Sequence, residues 1–204
     1  IRPGRALWSW WSEGTGDWTL QKRYADAAAK MGFEYILVDD GWRKWKSGDK
    51  DSWALLKEVV DHAQAKGVDV WVWKRWLGVA HPKARNDFFA KAKSLGVVGV
   101  KVDFMDSESK ERVDFYEACL RDAAKHKLMI NFHGANKPTG EARTWPNEMT
   151  REGIKGLEYN KWAVVSAEHN ATLPFTRYLA GHGDYTPCTF DPKRLKRTTW
   201  THQI

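Results

Sequence analysis

Carboxylates, cationic groups and an imidazole recur where short apolar runs end. Asp39 and Asp40 follow Tyr35 to Val38, Lys74 and Arg75 follow Asp69 to Trp73, Asp103 closes Gly99 to Asp103, His133 follows Met129 to Phe132, and Glu158 comes later. Such residues can move protons, attack an electrophilic carbon, or accept hydrogen bonds from sugar hydroxyls. Taken singly, each acid is as readily a helix cap or a surface ion pair, so the argument rests on the set. Lys101 and Asp103 are two apart and share a strand face, while Val100, Val102 and Phe104 take the other. If the apolar face meets helices, Lys101 projects inward, where an unpaired ammonium is costly unless a carboxylate or ligand compensates it. Asp39-Asp40-Gly41-Trp42 adds two acceptors for sugar hydroxyls beside an aromatic surface, although Asp-Gly alone is a common turn.

The elements that must position these residues alternate between β-type apolar runs and longer amphipathic ones, the pattern of βα units around a parallel sheet. Strands are predicted at Ala6 to Trp11, Tyr35 to Val38, Asp69 to Trp73, Gly99 to Asp103 and Met129 to Phe132. Helices are predicted from Thr19 to Met31, Ser52 to Lys66, Asn86 to Leu95 and Ser109 to His126, the first three stopped by Gly32, Gly67 and Gly96. A loop from His133 to about Arg151 is too long to be a mere connector. Beyond it, a strand is expected near Gly156 to Tyr159, a helix from Asn170 to Ala180, and a last strand near Asp184 to Thr186, which makes about seven strands. In a (β/α)8 barrel of the TIM type the C-terminal strand ends build the active site, and those are where the polar residues fall. No Gly-rich phosphate turn follows an early strand, which disfavours the competing doubly wound sheet. An eighth βα unit is missing from the pattern, so a truncated barrel with an exposed sheet edge is expected.

Bulk properties narrow the classes further. A chain of 204 residues with 42% hydrophobic and 29% charged residues can bury one core and has no apolar run long enough to span a bilayer. Residues Ile1 to Arg5 lack the features of a signal peptide, so any export signal is expected outside this sequence. The net charge of +7 is dispersed among acids, apart from a cluster at Lys193 to Arg197, which argues for a solvated surface and against a nucleic-acid partner. Cys119 and Cys188 form neither a disulfide framework nor a metal spacing and read as packing thiols. The unusual count is 13 Trp, with knots at Trp8, Trp10 and Trp11 and at Trp71, Trp73 and Trp76; such faces suit sugar rings or a large core.

One resemblance covers nearly the whole chain. Asn131-Phe132-His133-Gly134-Ala135-Asn136-Lys137-Pro138-Thr139-Gly140, Arg143-Thr144-Trp145-Pro146-Asn147, Thr150-Arg151-Glu152-Gly153, Gly156-Leu157-Glu158-Tyr159 and Glu168-His169-Asn170 to Phe175-Thr176-Arg177 closely resemble glycoside hydrolase family 97. Pro3-Gly4-Arg5, Ser9-Trp10-Trp11 and Val100-Lys101-Val102-Asp103-Phe104-Met105 fit as well. The resemblance implies a bacterial periplasmic or extracellular enzyme whose barrel lies between a β-sandwich and a small β-domain, so residues 1–204 are expected to be its catalytic core.

The family has two branches. In the inverting one, chiefly α-glucosidases, a glutamate base follows the fifth-strand His; in the retaining one, an aspartate nucleophile ends strand four. Gly134 and Asp103 place this sequence with the retaining, α-galactosidase-like branch. By the same resemblance Glu158 is the acid/base and Glu152 and Asn131 are ligands of a Ca²⁺ ion; Asp39, Asp40, Trp42 and Lys101 resemble galactose-binding residues of the related α-galactosidase clan, and His133, at the end of strand five, is expected to contact the sugar as well. Retention requires a nucleophilic carboxylate and a protonated carboxyl on opposite sides of the anomeric carbon, typically ~5–5.5 Å apart. Glu152 has a blander alternative as an ion-pair partner of Arg151 or Arg177, and Asn131 as a partner of backbone groups. Tyr159, Trp162 and Tyr185 are expected in the core. The substrate is read as an α-galactoside, the alternatives being an α-glucoside, a β-L-arabinopyranoside, or sugar binding without turnover.

Overall fold

The computed structural model describes residues 1–187, so the Cys188 and Lys193 to Arg197 readings lie outside the described residues. Six parallel strands form one sheet in sequential order: β1 (Ala6–Trp8), β2 (Tyr35–Val38), β3 (Asp69–Arg75), β4 (Gly99–Asp103), β5 (Met129–Phe132) and β6 (Glu148–Arg151). They curl into a half-barrel backed by α2 (Trp18–Met31), α3 (Ser52–Gln64), α4 (Pro82–Ser94) and α5 (Lys110–Lys125). The short helices α1 (Trp10–Glu13), α6 (Glu141–Thr144) and α7 (Ala167–Thr172) lie in connections.

Local chemistry explains the helix boundaries. Asp17 accepts from the amides of Thr19 and Leu20 at the start of α2, and Gly32 closes that helix in the left-handed conformation at φ 68°. Asp51 caps α3 through the amide of Ala54. Pro82 sits in the first turn of α4, capped by His81, so this helix begins four residues before the predicted Asn86.

Period-two alternation divides the strands cleanly. Ile36, Val38, Val70, Val72, Val100, Val102, Ile130 and Phe132 join the helices in one continuous core. Tyr35, Leu37, Trp71 and Met129 pack together on the inner face. Trp71 stands opposite Gly99, where a side-chain carbon would lie 2.4 Å from the indole; glycine is what lets the ring fill the barrel interior.

The second half departs from expectation. Glu148–Arg151, read as loop, is β6, and its buried charges answer each other through Arg151 Nε and Glu148 Oε1 at 2.7 Å. The strand predicted near Gly156 is instead a 3₁₀ turn, Leu157–Lys161. The helix predicted from Asn170 to Ala180 begins earlier and breaks at Pro174 into α7 and two 3₁₀ turns. Asp184 to Thr186 is not a strand, so the described residues hold six strands rather than seven. β1 is shorter than predicted because Trp10 and Trp11 already belong to α1.

Candidate active site

At the C-terminal ends of the strands the inward residues form a charged cluster around Lys101. The ammonium, only 3% exposed, lies 2.9 Å from Asp39 Oδ2 and 3.7 Å from Asp103 Oδ2. Burial pushes this lysine down, but the charges of Asp39 and Asp103 and the Asp39 hydrogen bond outweigh it, so the group stays protonated above the ordinary lysine range. The expectation that an inward lysine needs a carboxylate is met.

Three tryptophans hold three carboxyl groups. Trp8 Nε1 donates to Asp39 Oδ2 at 2.7 Å, Trp73 Nε1 to Asp103 Oδ2 at 2.8 Å, and Trp10 Nε1 to Glu158 Oε1 at 2.7 Å. These roles were missed in the sequence, although both tryptophan knots stood out there; neighbouring indoles at strand ends carried the signal but not the direction of their N–H groups. Asp103 also accepts from the amide of Phe104 at 2.7 Å. Phe104 and Asp106 both leave the strand in the left-handed region, at φ 62° and 45°, a sharp turn above the barrel mouth.

Glu158 occupies the 3₁₀ turn after β6. Burial pushes its carboxyl above the usual range, against the lowering effects of the Lys101 charge and the Trp10 hydrogen bond. His133, buried beyond β5, contacts Asp184 Oδ2 through Nε2 at 2.6 Å and faces Glu152 Oε1 at 3.7 Å through Nδ1. Burial and Lys101 push the imidazole down while Asp184 and Glu152 push it up, with a net rise. For Asp184, burial raises the carboxyl, and the opposing charge and hydrogen bond of His133, with Asn131, bring it well below the usual range. Asp184 also went unrecognised in the sequence, where it read as the start of a strand.

Glu152 accepts the Gly134 amide at 2.7 Å. The predicted alternative partners are occupied elsewhere: Arg151 pairs with Glu148, and Arg177 holds the carbonyls of Arg151, Glu152 and Gly153. Asn131 Nδ2 donates to Asp184 at 2.8 Å, leaving a buried Oδ1 without a partner among the described residues. That acceptor and the part-exposed Glu152 carboxylate are the oxygen donors a hard cation takes. No cluster of three or more His, Cys, Asp or Glu with metal-holding geometry occurs among the described residues.

Other expected site residues lie elsewhere. Trp42 is 0% exposed, donates to the Trp73 carbonyl at 2.9 Å and packs edge-on against Trp53, so it is a core residue with no face for a sugar. Asp40 is exposed and accepts the Gly41 amide at 2.7 Å, stabilising its own turn. Lys74 points outward to Phe88, as alternation from Trp73 requires. Tyr159 and Trp162, expected in the core, are 39% and 59% exposed. A cavity of about 590 Å³ opens on the inner face, bounded by Trp8, Leu37, Trp71, Lys101, Asn131 and Asp184.

A parallel half-barrel whose C-terminal strand ends gather an ammonium and three indole-held carboxyl groups defines a TIM-barrel architecture of the kind glycoside hydrolases use. The glycoside hydrolase 97 model matches residues 9–154, and the chain belongs to that family. It is 40% identical over 201 residues to a probable retaining alpha-galactosidase of Streptomyces bingchenggensis, covering 93% of this chain and 31% of that protein. To a retaining alpha-galactosidase of Bacteroides thetaiotaomicron it is 34% identical over 205 residues, covering 91% of this chain and 30% of that protein. The crystal structure of a beta-arabinopyranosidase superposes with a TM-score of 0.81 at 30% identity, over 93% of this chain and 32% of that one. The chain thus spans about a third of the length of the relatives it matches.

Proposed function

We propose that the protein containing this chain hydrolyses terminal α-galactosides with retention, Asp103 acting as nucleophile and Glu158 as acid/base. The observation that carries the reading is the fixed Asp103 carboxylate at the end of β4 combined with Gly134 at the position of the inverting branch's base. At Gly134 φ is +53°, and a side-chain carbon would meet Asp106 Oδ1 at 2.8 Å and Phe104 Cα at 3.1 Å, so a glutamate does not fit without rearrangement. Water activation from that position is thereby disfavoured, and direct attack by Asp103 is favoured.

In the first step an Asp103 oxygen forms a bond to the anomeric carbon as the glycosidic bond breaks, and the leaving oxygen takes the Glu158 proton. Glu158, raised by burial, is suited to hold that proton beforehand. In the second step Glu158 accepts a proton from water as the water oxygen replaces Asp103 on carbon. Lys101 keeps a compensating charge beside both acids throughout. Glu152 and Asn131 fit a Ca²⁺ ion, which when bound would add positive charge and hold a substrate hydroxyl. A chelator should then lower the melting temperature and added Ca²⁺ restore it.

The test uses the full-length protein with an aryl α-galactoside. Asp103→Gly should abolish turnover, and azide or formate should partly restore it; absence of rescue would remove Asp103 as nucleophile. The beta-arabinopyranosidase likeness favours a second reading, since that protein shares the fold at 30% identity. A panel of aryl α-galactoside, α-glucoside and β-L-arabinopyranoside separates the two, and a dominant glucoside rate would overturn both.

A further inference from the structure

The turn that carries Glu158 meets the start of the first helix twice, by burial of Leu157 against Trp11 and by polar contacts to Trp10. In a 3₁₀ turn positions i and i+3 eclipse, so Glu158 and Lys161 project on the same side. Both grip Trp10. Its indole Nε1 donates to Glu158 Oε1 at 2.7 Å, its carbonyl accepts from Lys161 Nζ at 2.9 Å, and the same ammonium lies 4.1 Å from the centre of its ring. Trp10 begins α1, directly beyond the C-terminal end of β1, and is 148 residues from Glu158 in sequence. Glu158 Oε2 has no partner among the described residues.

We propose that Trp10 and Lys161 are the positioning residues of Glu158: Lys161 locks Trp10 against the turn, and the Trp10 indole engages Oε1, leaving Oε2 to exchange the proton with the glycosidic oxygen. The inference rests on Glu158 being the acid of the proposed reaction and adds how that acid is held and tuned. A neutral indole N–H and a neighbouring ammonium both favour the ionised carboxyl, opposing the burial that favours the protonated one. The other charged groups facing Glu158 are Lys101 from β4, His133 beyond β5 and Glu152 beyond β6, and they remain in place when Trp10 or Lys161 is changed.

The experiment is the pH profile of kcat/KM for the full-length enzyme on an aryl α-galactoside. Trp10→Phe and, separately, Lys161→Met should move the alkaline limb upward by roughly 0.5–1 pH unit, and Lys161→Arg should return it toward wild type. Lower melting temperatures with an unmoved limb would reduce both residues to structural supports and overturn the inference. Glu158→Gln separates the two failures. If that change removes the alkaline limb but Trp10→Phe and Lys161→Met leave it unmoved, only the positioning inference fails. If the limb survives Glu158→Gln, the acid assignment fails and the inference with it.

Discussion

Lys101 Nζ meets Asp39 Oδ2 at 2.9 Å with both side chains almost wholly withdrawn from water. A buried pair of this kind is weak evidence of net stabilisation, but breaking it is expensive because the survivor stays buried and charged. Lys101→Met is expected to lower stability by about 3–5 kcal/mol, and adding Asp39→Leu should recover part of it, Asp103 being left without its cation. Urea titrations of the single and double variants check this; additive losses would refute the coupling.

Trp73 governs the nucleophile more directly. Its indole donates to Asp103 Oδ2 at 2.8 Å, so Trp73→Phe removes one hydrogen bond to a charged group while keeping most of the ring. Such bonds are worth about 1.5–3 kcal/mol, and kcat/KM should fall by roughly 10- to 100-fold. Steady-state kinetics with the melting temperature in parallel distinguish this from simple misfolding.

The His133–Asp184 contact makes stability depend on pH in a defined direction. His133 is raised above 6.5, so its contribution is complete below about pH 6.5 and disappears as pH rises through the folded value. Asp184 is lowered below 3.8, so its contribution is complete above about pH 4 and disappears as pH falls through the folded value. Between those limits the melting-temperature gap between wild type and Asp184→Asn should be widest, and it should shrink at either side. A pH-independent gap would show that the two groups are not coupled.

Gly134 tests the backbone argument. With φ at +53° and Asp106 Oδ1 and Phe104 Cα close by, Gly134→Ala should cost about 1–3 kcal/mol. Gly134→Glu should cost at least as much and should not yield product of inverted anomeric configuration, which NMR of the initial product reads directly.

The first five strands were legible because alternating Val and Ile on the helix side leave the inward positions to tryptophan, lysine, asparagine and acids. β6 was not, since its helix-facing positions carry Glu148 and Arg151, charges that look like loop until their pairing is seen. The inward course of Lys101 followed from spacing alone, and its carboxylate partner was expected in kind. Trp42 misled because an aromatic beside two aspartates reads as a sugar platform, whereas its indole reaches back to the Trp73 carbonyl and lies in the core. Asp184 and Lys161 could not be found by pattern, because their partners His133 and Trp10 lie 51 and 151 residues away.

The link between Trp10 and Glu158 also has a kinetic corollary. Closing so wide a span between distant parts of the polypeptide carries an entropic penalty that only the accumulated βα layers can offset. During renaturation from denaturant, far-ultraviolet ellipticity should therefore return before the changes in tryptophan emission that accompany docking of Trp10. Catalytic competence would be the last property regained.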